Sequence, residues 1–157
     1  MATYTELSFN EGPFWHPTAP FPLVTRTQTS RSYANGDVVK LFKVAQDTKI
    51  LYAVYGGDRL DSGTPTLTAQ LELYDGTTTV ALLTLGTAVL GSATAATRYA
   101  HGLSNPDAVG YVVPTRGFWL QLRFTAANNN PSAGKFGAGI LGAGAMFGLE
   151  SPLRPTG

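Results

Sequence analysis

Gly137-Ala138-Gly139-Ile140-Leu141-Gly142 has the G-x-G-x-x-G spacing that lets backbone approach a pyrophosphate at the start of a helix. That chemistry also needs a following helix, a second parallel strand and an acidic residue about 20 positions on. Only 15 residues follow Gly142, and they include Pro152 and Pro155. No cofactor is expected, and the small residues read instead as a place where another backbone comes close, inside the fold or across a subunit contact. Gly57-Asp58-Arg59-Leu60-Asp61-Ser62-Gly63 offers two carboxylates, a hydroxyl and pliant backbone, the oxygen donors a hard cation takes. The spacing is not that of an EF-hand loop, and turns demand the same residues. A solvated turn is expected, with Arg59 paired to either carboxylate and no metal bound.

The histidines, His16 and His101, have no partners at ligand spacing, and cysteine is absent, which excludes disulfides and thiolate metal sites. A Ser-His-Asp set would have to be picked from Ser104, His101 and Asp107, none of them in a nucleophile-elbow setting. Glu72 and Asp75 lie near one strand end like a glycosidase pair, yet an outward Glu and a turn Asp are expected of any hairpin. No enzymatic activity and no catalytic residue are expected.

The elements that must position these residues are strands. The chain of 157 residues is 43% apolar and only 13% charged, about half the usual charged share. Thr, Ser, Asn and Gly carry the polar load, which suits strands and turns. The formal charge of +1 is spread without a basic block, so nucleic acid is not an expected partner. The longest apolar-looking stretch, Phe136 to Leu149, spans 14 residues rich in Gly and Ala, short of the roughly 20 a bilayer-crossing helix needs. Neither a membrane partner nor a signal peptide is expected.

Leu67, Ala69, Leu71 and Leu73 alternate with polar neighbours, and Phe118, Leu120, Leu122 and Phe124 do the same. Val38–Val44, Lys49–Tyr55, Val80–Leu85 and Tyr111–Val113 read as further strands, with Gly56-Gly57 ending the second of these. Asn35-Gly36, Asp47-Thr48, Asp75-Gly76, Asn105-Pro106-Asp107 and Asn128–Pro131 mark turns. Ala88 to Ala100 fits a short helix or a long loop, and the Gly/Ala-rich segment after Pro131 fits a closing strand. The fold class expected is all-β: an antiparallel, jelly-roll-like β-sandwich over residues 36–149. An extended arm precedes it over residues 1–35, and a loose tail follows over 150–157.

The arm holds the densest unusual composition. Residues 11–22 combine four prolines with Phe14, Trp15 and Phe21, beside His16. Proline fixes φ and removes donors, so polyproline-like or irregular backbone with outward rings is expected. Exposed rings need a cover, either this chain's own sandwich or a neighbouring subunit. Trp119, Arg123 and Tyr74 fall on the polar-alternating positions of their strands. Together they form a second candidate surface, for a protein interface or, with Tyr99, for sugar stacking.

From Gly36 to Phe124 the order of features resembles the capsid decoration, or cement, proteins of tailed bacteriophages. Gly36-Asp37-Val38-Val39-Lys40-Leu41-Phe42-Lys43-Val44 and Thr48-Lys49-Ile50-Leu51-Tyr52-Ala53-Val54 resemble their opening strand pair. Asp58-Arg59-Leu60 resembles the turn before the strand that ends at Leu73-Tyr74-Asp75-Gly76. The resemblance implies a β-sandwich, often a homotrimer, that binds the major capsid protein on the outside of the assembled head. There it would bridge capsid subunits at capsomer junctions and resist internal pressure. It places the protein in the virion, assembled in the host cytoplasm, and carries over no catalytic residue. The alternative is a carbohydrate- or receptor-binding jelly-roll module of a phage tail or fibre, whose β-domains share this texture.

Overall fold

Leu67, Ala69, Leu71 and Leu73 recur every second residue, and in the computed structural model all four are buried while Thr68, Gln70 and Tyr74 are half-buried. The structure describes residues 31–93 and 97–143 with Met1, and the backbone course of Thr3–Tyr4, Phe14–Trp15 and Pro22–Gln28.

The strands, in chain order, begin with β1 (Thr3–Tyr4), β2 (Phe14–Trp15), β3 (Pro22–Gln28), β4 (Val38–Lys43), β5 (Lys49–Gly57) and β6 (Asp61–Ser62). The β7 (Thr68–Tyr74) and β8 (Thr79–Leu85) hairpin follows, then the short helix α1 (Thr87–Leu90), β9 (Gly91–Ser92) and β10 (Arg98–Gly102). A 3-10 turn at Pro106–Ala108 leads to β11 (Trp119–Ala126) and β12 (Gly134–Ala143).

Two five-stranded sheets result, ordered β1-β4-β11-β7-β8 and β10-β5-β12-β3-β2, with β6 and β9 as a separate parallel pair. All pairings within the two large sheets are antiparallel except β1 with β4. Outside the β7–β8 hairpin, the chain from β4 to β12 passes from one large sheet to the other, in jelly-roll-like fashion, so the inner faces close over one core. That core holds Tyr55, Phe118, Phe124, Ile50, Leu71 and Leu73, all fully buried. Each such side chain contributes about 1.5–3 kcal/mol by leaving water. Tyr33 stacks on Phe124 with ring centroids 3.9 Å apart, tying the segment before β4 to the interior.

Several elements differ from the sequence reading. Gly56-Gly57 does not end β5; the strand runs through both. A Cβ on Gly56 would stand 2.6 Å from the Tyr99 ring, and one on Gly57 would stand 2.6 Å from Phe136 Cβ. The glycines serve close approach inside a sheet and do not act as breakers. Tyr111–Val113 is a single bridge, Val112 to Lys49, and not a strand. The Asn105 turn is a 3-10 turn in which the Asn105 side chain accepts the Asp107 amide.

Within the stretch read as an arm, Pro22–Gln28 runs antiparallel to β12, Thr3–Tyr4 lies parallel beside Val38–Val39, and Phe14–Trp15 pairs with Leu23 and Pro22. The side chains of Phe14 and Trp15, the residues His16 and Phe21, and the tail over 150–157 lie outside the described residues. Among the described residues no helix is long and apolar enough to cross a membrane.

Candidate functional site

The outer face of the first sheet gathers the second candidate surface. Strict alternation along β4 would send Lys40 and Lys43, three residues apart, to opposite faces. The register shifts between Leu120 and Gln121, so that Gln121 opposes Lys40 and Trp119 opposes Lys43. Leu41 takes up the extra position and stays buried. Both lysines therefore flank Trp119, with Nζ atoms 5.3 Å and 5.7 Å from its ring centroid, close enough for cation–π attraction.

On the other side of Trp119 stands Tyr74, directly opposite in register. Its hydroxyl donates to the Gly76 carbonyl at 2.7 Å, which locks the ring over the hairpin turn. Beneath this pair runs a cross-strand polar ladder. Arg123 Nε donates to both Glu72 carboxylate oxygens at 3.0 and 3.1 Å, and its Nη2 donates to Gln70 Oε1 at 2.8 Å. Gln121 Nε2 donates to Glu72 Oε1 at 2.9 Å, and the Thr68 and Thr125 hydroxyls bond at 2.8 Å.

Glu72 is only 1% exposed, although it sits on the outer face. The expectation of an ordinary wet glutamate is corrected: it is the shared acceptor that fixes Gln121 and Arg123. Removing a carboxylate from water is tolerable here because a fork-shaped cation and an amide satisfy it. The structure thus brings Trp119, Tyr74 and Arg123 onto one rigid face. Tyr99 lies on β10 in the other sheet, 46% exposed, over Gly56. It does not join that platform.

The remaining candidates from the sequence are tied up locally. Asp75 accepts the Thr77 and Thr78 amides at 2.8 and 2.6 Å, and these bonds hold its carboxyl below the usual aspartate range. Ser104 Oγ accepts the Thr84 amide at 3.1 Å, while His101 Nδ1 bonds the Tyr52 hydroxyl. Asp107 meets Asn105 through its backbone N–H. Nothing joins the three into a relay. The G-x-G-x-x-G run lies within β12, paired along its length with β5, which is strand backbone and not a phosphate loop.

The Asp58–Asp61 segment is the clearest correction. Asp61 is fully buried and not a solvated turn. Its carboxylate accepts four backbone amides, from Thr66 at 2.7 Å, Leu67 at 3.0 Å, Asn129 at 3.1 Å and Asn130 at 2.7 Å. Burial by itself pushes its pKa up, but these amides outweigh burial and hold it below the ordinary aspartate value. The segment is a knot between two loops that are 68 residues apart in the chain. Arg59 pairs with neither carboxylate and donates to the Ser92 and Ala93 carbonyls. Among the described residues no three His, Cys, Asp or Glu side chains gather closely enough to hold a metal ion.

The lysine flank of Trp119 escaped sequence reading, because only the bulge puts both lysines on its side. No family model matches the chain, and no curated protein matches it. Among solved structures, it is similar to a chain of the "Cyanophage Pam1 capsid asymmetric unit". The TM-score is 0.47 and the identity 14%, over 82% of this chain and 91% of that one. It is also similar to a chain in "Structure of infectious bursal disease virus Gx strain", with a TM-score of 0.40 and 14% identity. That match covers 88% of this chain and 38% of the other.

Proposed function

We propose that the protein is a non-enzymatic structural component of a virion, a capsid decoration or cement protein that binds the outer surface of a phage head. It bridges neighbouring capsid subunits and acts as a homotrimer, with the major capsid protein as its partner. The observation that carries this reading is the outer face of the first sheet. There Trp119 and Tyr74 stand side by side over a ladder in which Glu72, Gln121, Arg123 and Gln70 hold one another in place. Such a face is ordered before it meets a partner, so docking costs little side-chain entropy. Trp, Tyr and Arg are also the residues that dominate protein–protein contact energies.

The resemblance of Gly36 to Phe124 to decoration proteins supports the same reading, as does the low charge of the chain. In this reading Phe14, Trp15, His16 and Phe21 form a second contact, a clamp on a neighbouring subunit. Each contact is modest alone, and a trimer engaging several shell subunits at once multiplies their effect.

The alternative, a glycan- or receptor-binding module of a tail or fibre, would need an open aromatic face at Trp119. Lys40 and Lys43 already lie against that ring, which weighs against sugar stacking there.

The test is cosedimentation of the full chain with purified heads of the phage that encodes it. Wild type is expected to bind saturably, while Trp119→Ala and the combined Phe14→Ala, Trp15→Ala, Phe21→Ala variant bind at least about tenfold more weakly. Undiminished occupancy by both variants would remove these surfaces from the mechanism.

A further inference from the structure

Where the ends of β5 and β10 meet β9, two arginines close on one residue. Arg59 donates through Nη1 to the Ser92 carbonyl at 3.2 Å and the Ala93 carbonyl at 2.8 Å. Arg98 donates through Nη2 to the Ser92 hydroxyl at 3.0 Å. Ser92 thus meets both guanidinium groups, one at its carbonyl and one at its hydroxyl. Neither meets a carboxylate at ion-pair distance among the described residues, in contrast to Arg123 with Glu72. Asp58, the acid next in sequence to Arg59, spends Oδ1 on the Thr97 hydroxyl at 2.9 Å and Oδ2 on the Lys135 amide at 3.0 Å.

The donors of this pair are far from exhausted. A guanidinium carries five N–H groups. Among the described residues Arg59 Nε and Nη2, and Arg98 Nη1 and Nε, meet no acceptor. The Nε of Arg98 is buried from solvent and has no hydrogen-bond acceptor. A buried cationic donor without an acceptor is costly, and two positive charges gathered on one residue repel. One negatively charged group with two or more oxygens would relieve both. Arginine forks match the O–C–O and O–P–O edges of such groups, which a lysine does not.

We propose that Arg59 and Arg98 form a binding site for an oxyanion, a carboxylate or phosphate group, at this end of the sandwich. The site is independent of the Trp119 face, which lies on the opposite sheet.

The test uses the full chain labelled with 15N-arginine. It is titrated with sodium phosphate, and separately with sodium acetate, against sodium chloride at equal ionic strength. The Arg98 Nε–H resonance is expected to shift saturably with at least one oxyanion and not with chloride. Saturation with phosphate alone assigns a phosphate ligand, and saturation with acetate assigns a carboxylate. Calorimetry on Arg59→Lys and Arg98→Lys, which keep the charge and lose the fork, should show binding weakened about tenfold. A response no different from chloride, or one undiminished in both variants, overturns the site. If either variant fails to fold, the wild-type resonance still decides.

Discussion

The outer faces of the two sheets solve the same problem in opposite ways. The first is built of long side chains, with Glu72, Gln121, Arg123 and Gln70 bonded across β7 and β11 and Trp119 held between Tyr74 and two lysines. The second carries Tyr52 bonded to His101 at one side but is glycine-lined beside it: Gly56 lies opposite Gly137, Gly139 opposite Val54, and Tyr99 covers Gly56. One face is rigid because its polar side chains bond one another across strands, with Glu72 as the shared acceptor, so losing that acceptor should unsettle several donors. Along its glycines the other depends on the absence of side chains, so adding an atom there is the perturbation that matters, and its cost depends on what the atom meets.

The largest effect should come from breaking the ladder. Glu72→Ala leaves Arg123 and Gln121 without their shared acceptor and is expected to cost roughly 3 kcal/mol of stability, read from urea unfolding. A loss below about 0.5 kcal/mol would show that the ladder is not a cooperative unit.

Asp61 supplies a contrast, a buried carboxylate held by amides with no cation bonded to it. Asp61→Asn is expected to cost about 2–3 kcal/mol at neutral pH, since the amide nitrogen it introduces faces N–H groups. The folded pKa lies below the ordinary 3.8, so this stabilisation is complete above that value and is lost as pH falls through the lower folded one. The gap between wild type and variant should therefore hold from about pH 7 to about pH 4 and narrow below. A gap that narrows near neutral pH would mean another group is responsible.

The role of the β5 glycines is sharpened by two adjacent changes, with Gly57 facing the core beside Phe136 and Gly56 facing outward under Tyr99. Gly57→Ala places a methyl 2.6 Å from Phe136 Cβ and 2.8 Å from its Cα, and backbone cannot step aside, so about 2 kcal/mol is expected to be lost. Gly56→Ala meets the exposed Tyr99 ring 2.6 Å away and the Arg98 carbonyl only at 3.9 Å, and because a surface side chain yields more readily than backbone, about 1 kcal/mol or less should suffice. Equal thermal-unfolding shifts for the two would erase the distinction. Smallest of all should be Trp119→Ala, a half-exposed ring whose loss changes stability by under about 1 kcal/mol. Its effect belongs to binding.

The parts of the fold that were legible were those set by local pattern. Leu67 to Leu73 and Phe118 to Phe124 declared their buried faces by period two, and the closing Gly/Ala-rich strand was recognisable by what it could not be. Relations across the chain were not legible. Lys40 and Lys43 share a face only because β11 forces a bulge in β4. Asp61 looks like a turn acid until Asn129 and Asn130 arrive from 68 and 69 residues away. Pro22–Gln28 shows little alternation of its own, and its strand state is visible in its pairing with β12. Of the candidate surface, Trp119, Tyr74 and Arg123 were found from the sequence, whereas the ladder that fixes them required register.

The central claim, that this sandwich docks on the outside of a phage head, is tested most directly by cryo-electron microscopy. Under the proposed function, heads assembled with the chain should be compared with heads assembled without it. The difference map should show sandwich-shaped density on the outer shell at junctions between capsomers, with the Trp119 face turned toward capsid protein. Density confined to the tail or fibres, or identical maps, would contradict it.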